Sequence, residues 1–422
     1  MDLYGELEWR GLVAEATEGV RDVLARERVT GYIGFDPTAS SLHVGNLLVI
    51  MLLARLQRYG HSPIAVVGGG TGLIGDPSGK TAERQLLTEE RVEENVRGIR
   101  AQLARFLDFD APRNGARLVN NGDWLTKLGA IDFMRDIGKH FTVNAMVARE
   151  SVKRRMESAD GISYTEFSYA LLQAYDFLML YERYGCTLQM GGTDQYGNIL
   201  AGMDLIRRVR GGKAHGLVAP LITTAAGTKF GKTEAGTVWL DPQRTTPYAF
   251  YQFWLNTDDR DAVRYLRYFT FRTQEEVEAL ARASTEAPER RHVQRALARD
   301  VTEMVHGAEA VRDAERAATT LFTGDVAQLT ASELLETLAQ VPSFELPSTE
   351  QEWKLVPVLV EAGVVASRGE ATRLIRSGGI YVNDRRITNE KETLQRDAAV
   401  GGELFVVRRG KRDMFLLRVR VS

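Results

Sequence analysis

The sequence is poor in the residues that hold disulfides and metal ions. Its 422 residues include one cysteine, Cys186, and six scattered histidines. A single cysteine excludes a disulfide within the chain and any cysteine-rich zinc site, and the histidines show no spacing typical of metal ligands. We therefore expect no protein-bound metal.

Long apolar runs and a strong net charge are also missing. No apolar stretch reaches the length that crosses a membrane, and the first residues lack the basic and apolar regions of a signal peptide. We therefore expect a cytoplasmic protein. The formal net charge is −2, so the chain as a whole gives no indication of nucleic-acid binding.

The charge is nevertheless unevenly distributed. From residue 350 to the last residue there are 14 lysines and arginines against 10 aspartates and glutamates, a net charge of +4. The rest of the chain has a net charge of −6. This asymmetry predicts a basic module, typical of nucleic-acid binding, attached to an acidic body.

Short apolar runs alternate with helical patterns through the first half of the chain. This alternation predicts βαβ units and a mostly parallel, Rossmann-like α/β sheet, with ligands at the carboxyl ends of its strands. The predicted strands are 30–35, 63–67, 117–120, 187–190 and 217–221, and the predicted helices are 47–56, 88–107 and 166–184.

The second half changes to helices and ends in a small mixed module. Helices are predicted at 247–256, 259–269, 274–283, 289–306, 332–338 and 371–376, and strands at 380–387, 404–407 and 415–419. A chain of this length is expected to form two or three domains. We predict an α/β domain over 1–222, a loop and linker over 223–246, an α-helical domain over 247–322, a linker over 323–350 and a small α+β domain over 351–422.

Two short motifs far apart indicate phosphate chemistry. His43 and Gly45 open a predicted helix after the turn that follows the strand 30–35. There, backbone N–H groups favour phosphate, a glycine lets a ring approach the backbone, and an imidazole can donate to a phosphate oxygen. The segment 229–233 places two lysines and a threonine in a loop that can close over a triphosphate.

A glycine-rich loop, residues 68–80, follows another predicted strand and contains Asp76. Its glycines favour close approach of the backbone to a ligand, although a flexible connector is the alternative. It is not a phosphate-binding Walker loop, because Lys80 lies at the wrong spacing from the preceding glycines. His43, Asp76 and Asp194 each follow a predicted strand, so they could share one crevice.

A predicted helix carries three polar residues on one face. Tyr169, Gln173 and Asp176 are separated by four and three residues, so they project together. The opposite positions, including Leu171, Leu172 and Phe177, do not form a clearly better apolar period than the polar ones, which indicates a helix buried on both sides. A strand end and helix start follow at 191–198, where Asp194 can accept from ribose hydroxyls.

Along nearly its whole length the chain resembles the bacterial tyrosyl-tRNA synthetases, which are class I aminoacyl-tRNA synthetases. Residues 43–46 match a HIGH-type motif, residues 229–233 match a KMSKS-type motif, and the basic tail resembles the S-four-type RNA-binding module. The other segments that carry the resemblance are 32–38, 76–80, 169–176 and 191–198. The resemblance implies activation of L-tyrosine with ATP to tyrosyl-adenylate and pyrophosphate, then transfer of tyrosine to the 3′ end of tRNA(Tyr).

The resemblance also implies which residues hold tyrosine. Tyr32 and Asp176 would hydrogen-bond the substrate phenol, while Asp76, Tyr169 and Gln173 would hold its ammonium group. Phenylalanine lacks the hydroxyl and would leave Tyr32 and Asp176 buried and unpaired, at ~1–3 kcal/mol per group.

The phosphate and adenylate contacts follow from the same resemblance. The implied ATP and adenylate site consists of Gly34, Asp36, Thr38, His43, Gly45, Gly191, Gly192, Asp194, Gln195 and Lys232. The implied catalytic groups are His43, Asn46, Lys80, Arg84, Lys229, Lys232 and Thr233. Among these, the lysines, the arginine and the threonine would receive the leaving pyrophosphate.

The implied partners are tyrosine, ATP and tRNA(Tyr), with Mg²⁺ accompanying ATP and with no membrane. Arg207 and Arg208 match residues near the tRNA acceptor stem, although a solvated helix face is an equal alternative. A homodimer through residues 131–141 is a further implication.

Three positions depart from the family pattern. Asn46 replaces the second histidine of the HIGH-type motif, the segment 229–233 lacks the inner Met-Ser, and Tyr196 stands where the family often has tryptophan. None of these changes removes a charged catalytic group. An amide can still donate, so we expect Asn46 to alter the phosphate contacts modestly.

Three other functions are open to this sequence. A tryptophanyl-tRNA synthetase shares the fold and both motifs, but Tyr32 with Asp176 suits a phenol. A noncatalytic RNA-binding scaffold needs neither Lys229 and Lys232 nor buried carboxylates. A metabolic nucleotidyltransferase with a HIGH-type motif would have no use for a basic RNA module.

Overall fold

The computed structural model describes residues 2–37, 39–75, 88–158, 161–225, 227, 230–233, 236–323, 330–331, 334–335, 338, 341–347, 349–410 and 413–420. The chain forms two compact units. The first consists of Met1–Asp241 and Thr257–Leu297, and the second of Pro242–Asn256 and Ala298–Ser422.

A six-stranded sheet is the centre of the first unit. Its strands are β1 (Glu15–Ala16), β2 (Thr30–Phe35), β3 (Ser62–Val67), β4 (Arg117–Asn120), β5 (Cys186–Gly192) and β6 (His215–Ala219), in the order β1-β6-β5-β2-β3-β4. The strands from β6 to β4 are parallel, and β1 pairs antiparallel with β6. The strand order reverses between β2 and β5, which is where a parallel α/β sheet forms its ligand crevice.

Helices make up much of the rest of the described chain. They are α1 (Leu3–Arg10), α2 (Val20–Arg26), α3 (Val44–Arg58), α4 (Glu89–Leu103), α5 (Gly122–Leu125), α6 (Ala130–Asp132), α7 (Val143–Val147), α8 (Glu150–Met156), α9 (Tyr164–Tyr184), α10 (Tyr196–Arg210), α11 (Pro247–Leu255), α12 (Asp259–Phe269), α13 (Gln274–Glu286), α14 (His292–His306) and α15 (Ala308–Thr323). A hairpin of β7 (Lys232–Thr233) and β8 (Gly236–Thr237) follows β6.

Helices α3 and α9 cover opposite faces of the sheet. Consecutive residues of a strand point to opposite faces, and β2 shows both packings. A Cβ built on Gly31 would contact Leu56 of α3, whereas the ring of Tyr32 packs edge-on against Phe177 of α9. Because both faces are covered, β2 and β3 are apolar and almost entirely buried.

The second unit pairs α11 with α15 and ends in a small α+β module. Its five-stranded sheet has the order β12-β11-β14-β15-β9, and β10 pairs with β13. These strands are β9 (Ser343–Leu346), β10 (Glu352–Lys354), β11 (Ile380–Val382), β12 (Arg385–Ile387), β13 (Thr393–Gln395), β14 (Leu404–Arg409) and β15 (Asp413–Val419). The helices Leu355–Glu361 and Arg368–Arg376 share one apolar core with these strands.

The predicted Rossmann-like α/β fold is confirmed. The predicted strands 30–35 and 117–120 and the predicted helix 259–269 have the observed bounds of β2, β4 and α12. Helix α9 is buried on both sides, as predicted. The five-part division of the chain stays a prediction.

Several predicted elements differ from the structure in their bounds, and three of the differences show why. Strand β6 ends before Pro220, whose missing N–H cannot continue the ladder, so the predicted 217–221 is shifted. Arg291 has a φ of 51°, which separates the turn at 288–290 from α14, so that helix begins after 289. Residues 343–346, predicted as linker, form β9 beside β15.

Candidate functional site

The carboxyl ends of β2 and β5 form the floor of the crevice. Strand β2 supplies Tyr32 and Gly34, and β5 ends at Gly191 and Gly192 before the turn that carries Asp194. A Cβ built on Gly34 would meet nothing within 4 Å, so this strand end faces open space. Predicted binding residues from two distant segments therefore lie together.

One end of the crevice buries the hydroxyl of Tyr32. The residue is 2% exposed, and its Oη has no hydrogen-bond partner among the described residues. Burial, followed by the charge of Asp176, raises the pKa of Tyr32 well above its ordinary value, so the phenol stays protonated. A buried donor without a partner is costly, and the position therefore suits a ligand atom that accepts a hydrogen bond.

The carboxylate of Asp176 on α9 is also buried, and two donors hold it. Its Oδ2 accepts from Nδ2 of Asn121 at 2.8 Å, and its Oδ1 accepts from Nε1 of Trp124 at 2.7 Å. Burial raises the pKa of Asp176 to about 7, although both donors act in the opposite direction, and the charge of Asp36 adds to the increase. Each carboxylate oxygen has two lone pairs, so Asp176 can accept from a ligand as well.

Hydrogen bonds connect Asn121 to the turn after β2. Nδ2 of Asn121 donates to Oγ1 of Thr71 at 3.0 Å, and this hydroxyl donates to Oδ1 of Asp36 at 3.0 Å. Oη of Tyr169 donates to Oδ2 of Asp36 at 3.1 Å. A Cβ on Gly68 would lie 2.5 Å from Oδ1 of Asp36, so the start of the glycine-rich loop packs against protein side chains.

A second polar cluster follows the end of β5. Nε2 of Gln173 donates to Oε1 of Gln195 at 3.1 Å, and Nδ2 of Asn198 donates to Oε1 of Gln173 at 3.0 Å. Nε2 of Gln195 donates to Oδ2 of Asp194 at 3.3 Å. A Cβ on Gly192 would lie 2.6 Å from Oδ1 of Asp194, so a larger residue would displace this carboxylate.

Helix α3 begins at the predicted phosphate motif. His43 is its N-cap residue, and Oδ1 of Asn46 accepts from the backbone N–H of His43 at 3.0 Å. This bond leaves Nδ2 of Asn46 as the donor of its side chain. A Cβ on Gly45 would lie 2.8 Å from Cε1 of His43, so glycine gives the imidazole room beside the first helical turn.

The lysine-rich loop meets the start of the same helix. The backbone N–H of Val44 donates to the carbonyl of Val238 at 3.0 Å, and that of Leu240 donates to Leu42 at 2.9 Å. Gly231 has a φ of 82°, and a Cβ on it would lie 2.7 Å from Cγ2 of Val44. The HIGH-type and KMSKS-type segments are therefore in contact.

Helix α12 anchors this loop at two points. The ring of Phe230 packs against Tyr265 and Phe269 at centroid distances of 5.0 and 5.5 Å. Oδ2 of Asp261 accepts from the backbone N–H of Ala225 at 2.7 Å. Residues on both sides of position 229 are thus held by one helix.

The structure describes some of the predicted site residues only by their backbone and others not at all. Those outside the described residues are Thr38, Asp76, Lys80, Arg84 and Lys229. For Lys232 and Thr233 the structure describes the backbone, which forms β7. Their predicted roles stay predictions.

Arg207 and Arg208 lie on the surface of α10. Both pair with Asp204, at 2.5 and 2.6 Å, and their side chains are 66% and 44% exposed. Exposed ion pairs of this kind contribute little to stability. The guanidinium groups are accessible to a partner, and a solvated helix face fits them equally well.

Three residues of the hydrogen-bond network were not predicted from the sequence to take part in the site. Thr71 lies within the glycine-rich loop, and Asn121 and Trp124 follow β4 directly. The strand 117–120 was predictable, and ligands gather at the carboxyl ends of parallel strands. The residues that follow this strand in the sequence could therefore have been predicted to lie near the site.

The sequence matches two family profiles. The profile described as tRNA synthetases class I (W and Y) matches residues 24–323. The profile described as Tyrosine--tRNA ligase SYY-like C-terminal domain matches residues 333–417. The two matches together extend over most of the chain.

Curated relatives match along their whole length. The chain is 54% identical over 420 residues to Tyrosine--tRNA ligase of Roseiflexus castenholzii, covering 99% of each chain. It is 55% identical over 421 residues to Tyrosine--tRNA ligase of Geobacillus kaustophilus, covering 99% of this chain and 100% of the other. A solved, C-terminally truncated mitochondrial tyrosyl-tRNA synthetase of Aspergillus nidulans matches with a TM-score of 0.68 and 32% identity, covering 76% of this chain and 94% of its own.

Proposed function

The chain belongs to the class I tRNA synthetases for tryptophan and tyrosine, and from this premise we propose that it is a tyrosine–tRNA ligase. It activates L-tyrosine with ATP to tyrosyl-adenylate and pyrophosphate, and then transfers tyrosine to the 3′ end of tRNA(Tyr). One observation supports the choice of tyrosine. The hydroxyl of Tyr32 is protonated, has no hydrogen-bond partner among the described residues and lies beside the buried Asp176. A substrate phenol accepts from the first and donates to the second.

Other amino acids fit this pair less well. The indole of tryptophan donates from one N–H and accepts nothing, so it would leave the Tyr32 hydroxyl unpaired. Phenylalanine would leave both Tyr32 and Asp176 unpaired. The ammonium group of tyrosine is held by Asp76, Tyr169 and Gln173, and the position of the last two on one face of α9 supports this assignment for them.

Activation is an in-line attack of the tyrosine carboxylate on the α-phosphorus of ATP, and pyrophosphate leaves. No side chain acts as a covalent nucleophile; positioning and groups that bind the transition state more strongly accelerate the step. The adenylate is lined by Gly34, Asp36, Gly191, Gly192, Asp194 and Gln195. The phosphates are met by Thr38, His43, Gly45 and Asn46, and the leaving pyrophosphate by Lys80, Arg84, Lys229, Lys232 and Thr233.

ATP is the second substrate, and Mg²⁺ enters with it to neutralise phosphate charge. No group of three or more metal-ligating side chains is present among the residues that the structure describes. In the same part of the chain, no helix is both long and apolar enough to cross a membrane. The site of action is the cytoplasm, where charged tRNA is consumed in protein synthesis.

The tRNA contacts residues of each unit. Arg207 and Arg208 approach the acceptor stem, and the C-terminal module reads the shape and backbone of the anticodon and variable arms. Exposed arginines of that module support this assignment, among them Arg368, Arg373 and Arg386.

Two copies of the chain associate through residues 131–141. Ile131 and Met134 are 70% and 52% exposed, and the nearby Val143 is 63% exposed, which is typical of an interface. Light scattering should give about twice the chain mass of 47.0 kDa. A single-chain mass would contradict the dimer.

Attachment of labelled tyrosine to tRNA tests the proposed function directly. Purified protein with ATP, Mg²⁺ and bacterial tRNA should form acid-precipitable tyrosyl-tRNA, and omission of ATP should abolish it. Charging with tryptophan in place of tyrosine, or no charging at all, would overturn the proposal.

A further inference from the structure

Helix α4 contacts the segment that joins β2 to α3. Three of its residues, Asn95, Gly98 and Gln102, are spaced by three and four positions and therefore lie on one face. They meet Pro37 and residues 40–42, which lie between Asp36 near the end of the strand and His43 at the start of the helix.

Asn95 is a polar residue in a core position. It is 1% exposed, although the neighbouring buried positions of this face are apolar. Its Nδ2 donates to the carbonyl of Pro37 at 2.7 Å, while its Oδ1 has no partner within the described chain. A buried amide with one unpaired polar atom contributes little to the stability of the fold, so we attribute its role to the hydrogen bond with Pro37.

Gln102 and Gly98 hold the next residues of the segment. Oε1 of Gln102 accepts from the backbone N–H of Leu42 at 2.8 Å, and its Nε2 donates to Oγ of Ser41 at 2.9 Å. The carbonyl of Leu42 also accepts from the backbone N–H of Leu240. Both backbone polar groups of the residue before His43 are therefore hydrogen-bonded. At Gly98 a Cβ would collide with the carbonyl oxygen of Ser40, so only glycine lets α4 approach this closely.

We infer that this face of α4 is a positioning surface that sets the distance between Asp36 and His43 and thereby the rate of the activation step. Asn95, Gly98 and Gln102 touch no substrate; they fix the backbone that carries two groups proposed to contact the adenylate and the phosphates. The inference rests on the proposed function. It predicts a larger effect on the rate of activation than on tyrosine binding, because Asp36 keeps its own bonds to Thr71 and Tyr169 while the residues next to His43 lose theirs to α4.

Asn95→Leu and Gln102→Leu test this role. Both replace a hydrogen-bonding amide with an apolar side chain. Tyrosine-dependent exchange of labelled pyrophosphate into ATP should show kcat reduced about tenfold to a hundredfold, since a displacement near 1 Å has this effect. The KM for tyrosine should stay within about twofold of the parent value. The unfolding temperature of Asn95→Leu should change little, because the variant removes the unsatisfied Oδ1 but also leaves the carbonyl of Pro37 without its donor.

Arg97→Ala, on the exposed face of α4, is the matched control and should leave exchange unchanged. If Asn95→Leu does not fold, Gln102→Leu decides. Exchange at the parent rate in the folded variants would overturn the inference alone. So would a loss of kcat that is matched by a higher KM for tyrosine and a lower unfolding temperature, which is the pattern of general structural damage. No exchange in the parent protein would overturn the proposed function and this inference with it.

Discussion

Tyr32 and Asp176 form a complementary donor and acceptor, and both side chains are buried. Burial keeps the phenol of Tyr32 protonated and raises the pKa of Asp176 to about 7. Asn121 and Trp124 oppose that increase by donating to the carboxylate. The pair can therefore accept from and donate to one hydroxyl group, and we propose that this property distinguishes tyrosine from phenylalanine.

Replacing Tyr32 with phenylalanine should weaken that distinction. The loss of one neutral hydrogen bond corresponds to ~1 kcal/mol, so the preference for tyrosine over phenylalanine in pyrophosphate exchange should fall roughly fivefold. Tyr164→Phe is the matched control, because Tyr164 is 74% exposed and should not affect the preference. An unchanged preference in Tyr32→Phe would contradict the role of this hydroxyl.

Tyrosine binding should depend on pH through Asp176. A phenol that donates to the carboxylate stabilises its ionised form and lowers the pKa, so binding below about pH 7 releases a proton. The dissociation constant should therefore fall as the pH rises from about 6 and level off above about 7.5. Equilibrium dialysis with labelled tyrosine measures this change.

Asn121→Ala tests whether Asp176 is the group that causes this pH dependence. It removes a donor that lowers the pKa of Asp176, so the same transition should move to higher pH. A flat profile in the parent protein, or a shift to lower pH in the variant, would show that another group controls binding.

At the scale of secondary structure, the start of α3 and the loop before β7 are in contact, and we propose that they form one phosphate site. Gly231 packs against Val44, while Phe230 and Ala225 are held by α12. The loop thus has a fixed base beside the helix N-terminus. The lysines of the loop are expected to act when charge develops on the pyrophosphate.

Lys229→Ala or Lys232→Ala should slow activation and leave tyrosine affinity near normal. The reason is that these cations are proposed to bind the transition state and pyrophosphate, not the amino acid. Exchange kinetics and equilibrium dialysis together measure the two effects. Equal losses in rate and affinity would contradict this assignment.

Gly231→Ala should slow activation through the backbone of the same loop. A Cβ there would contact Val44 at 2.7 Å, so the loop must shift away from α3. Gly227→Ala is the control, since Gly227 also has a positive φ but its Cβ would meet nothing within 4 Å. We expect the kcat of exchange to fall about tenfold more in Gly231→Ala than in the control. Equal kcat values would argue against the contact between the two motifs.

Periodicity predicted local elements well and non-local contacts poorly. Helix α9, with Tyr169 and Asp176 on it, follows from spacing within one segment. The bonds from Asn121 to Thr71 and Asp176 join segments that are separated by about fifty residues, and the sheet register that aligns them has no local signature. Strand β9 was missed for the same reason, because its pairing partner β15 lies far along the chain.

At the scale of the whole molecule, the two reactions depend on different parts of the chain. The crevice residues described here belong to the first unit, and the basic module belongs to the second. Adenylate formation should therefore require the first unit, whereas charging also requires contacts to the tRNA arms.

A chain that ends after about Phe322 should separate the two reactions. It keeps α11 and nearly all of α15, and a C-terminally truncated relative has been solved as a folded protein. Tyrosine-dependent pyrophosphate exchange should persist, and formation of tyrosyl-tRNA should be abolished. Normal charging by the shortened chain would show that the basic module is dispensable.

Amino-acid-dependent exchange of labelled pyrophosphate into ATP, compared for tyrosine, phenylalanine and tryptophan, tests the central claim most directly. Exchange with tyrosine alone would establish both the activation chemistry and the phenol-reading pair of Tyr32 and Asp176. Exchange that is equal for tyrosine and phenylalanine would contradict the pocket. Exchange with none of the three would favour the noncatalytic RNA-binding alternative.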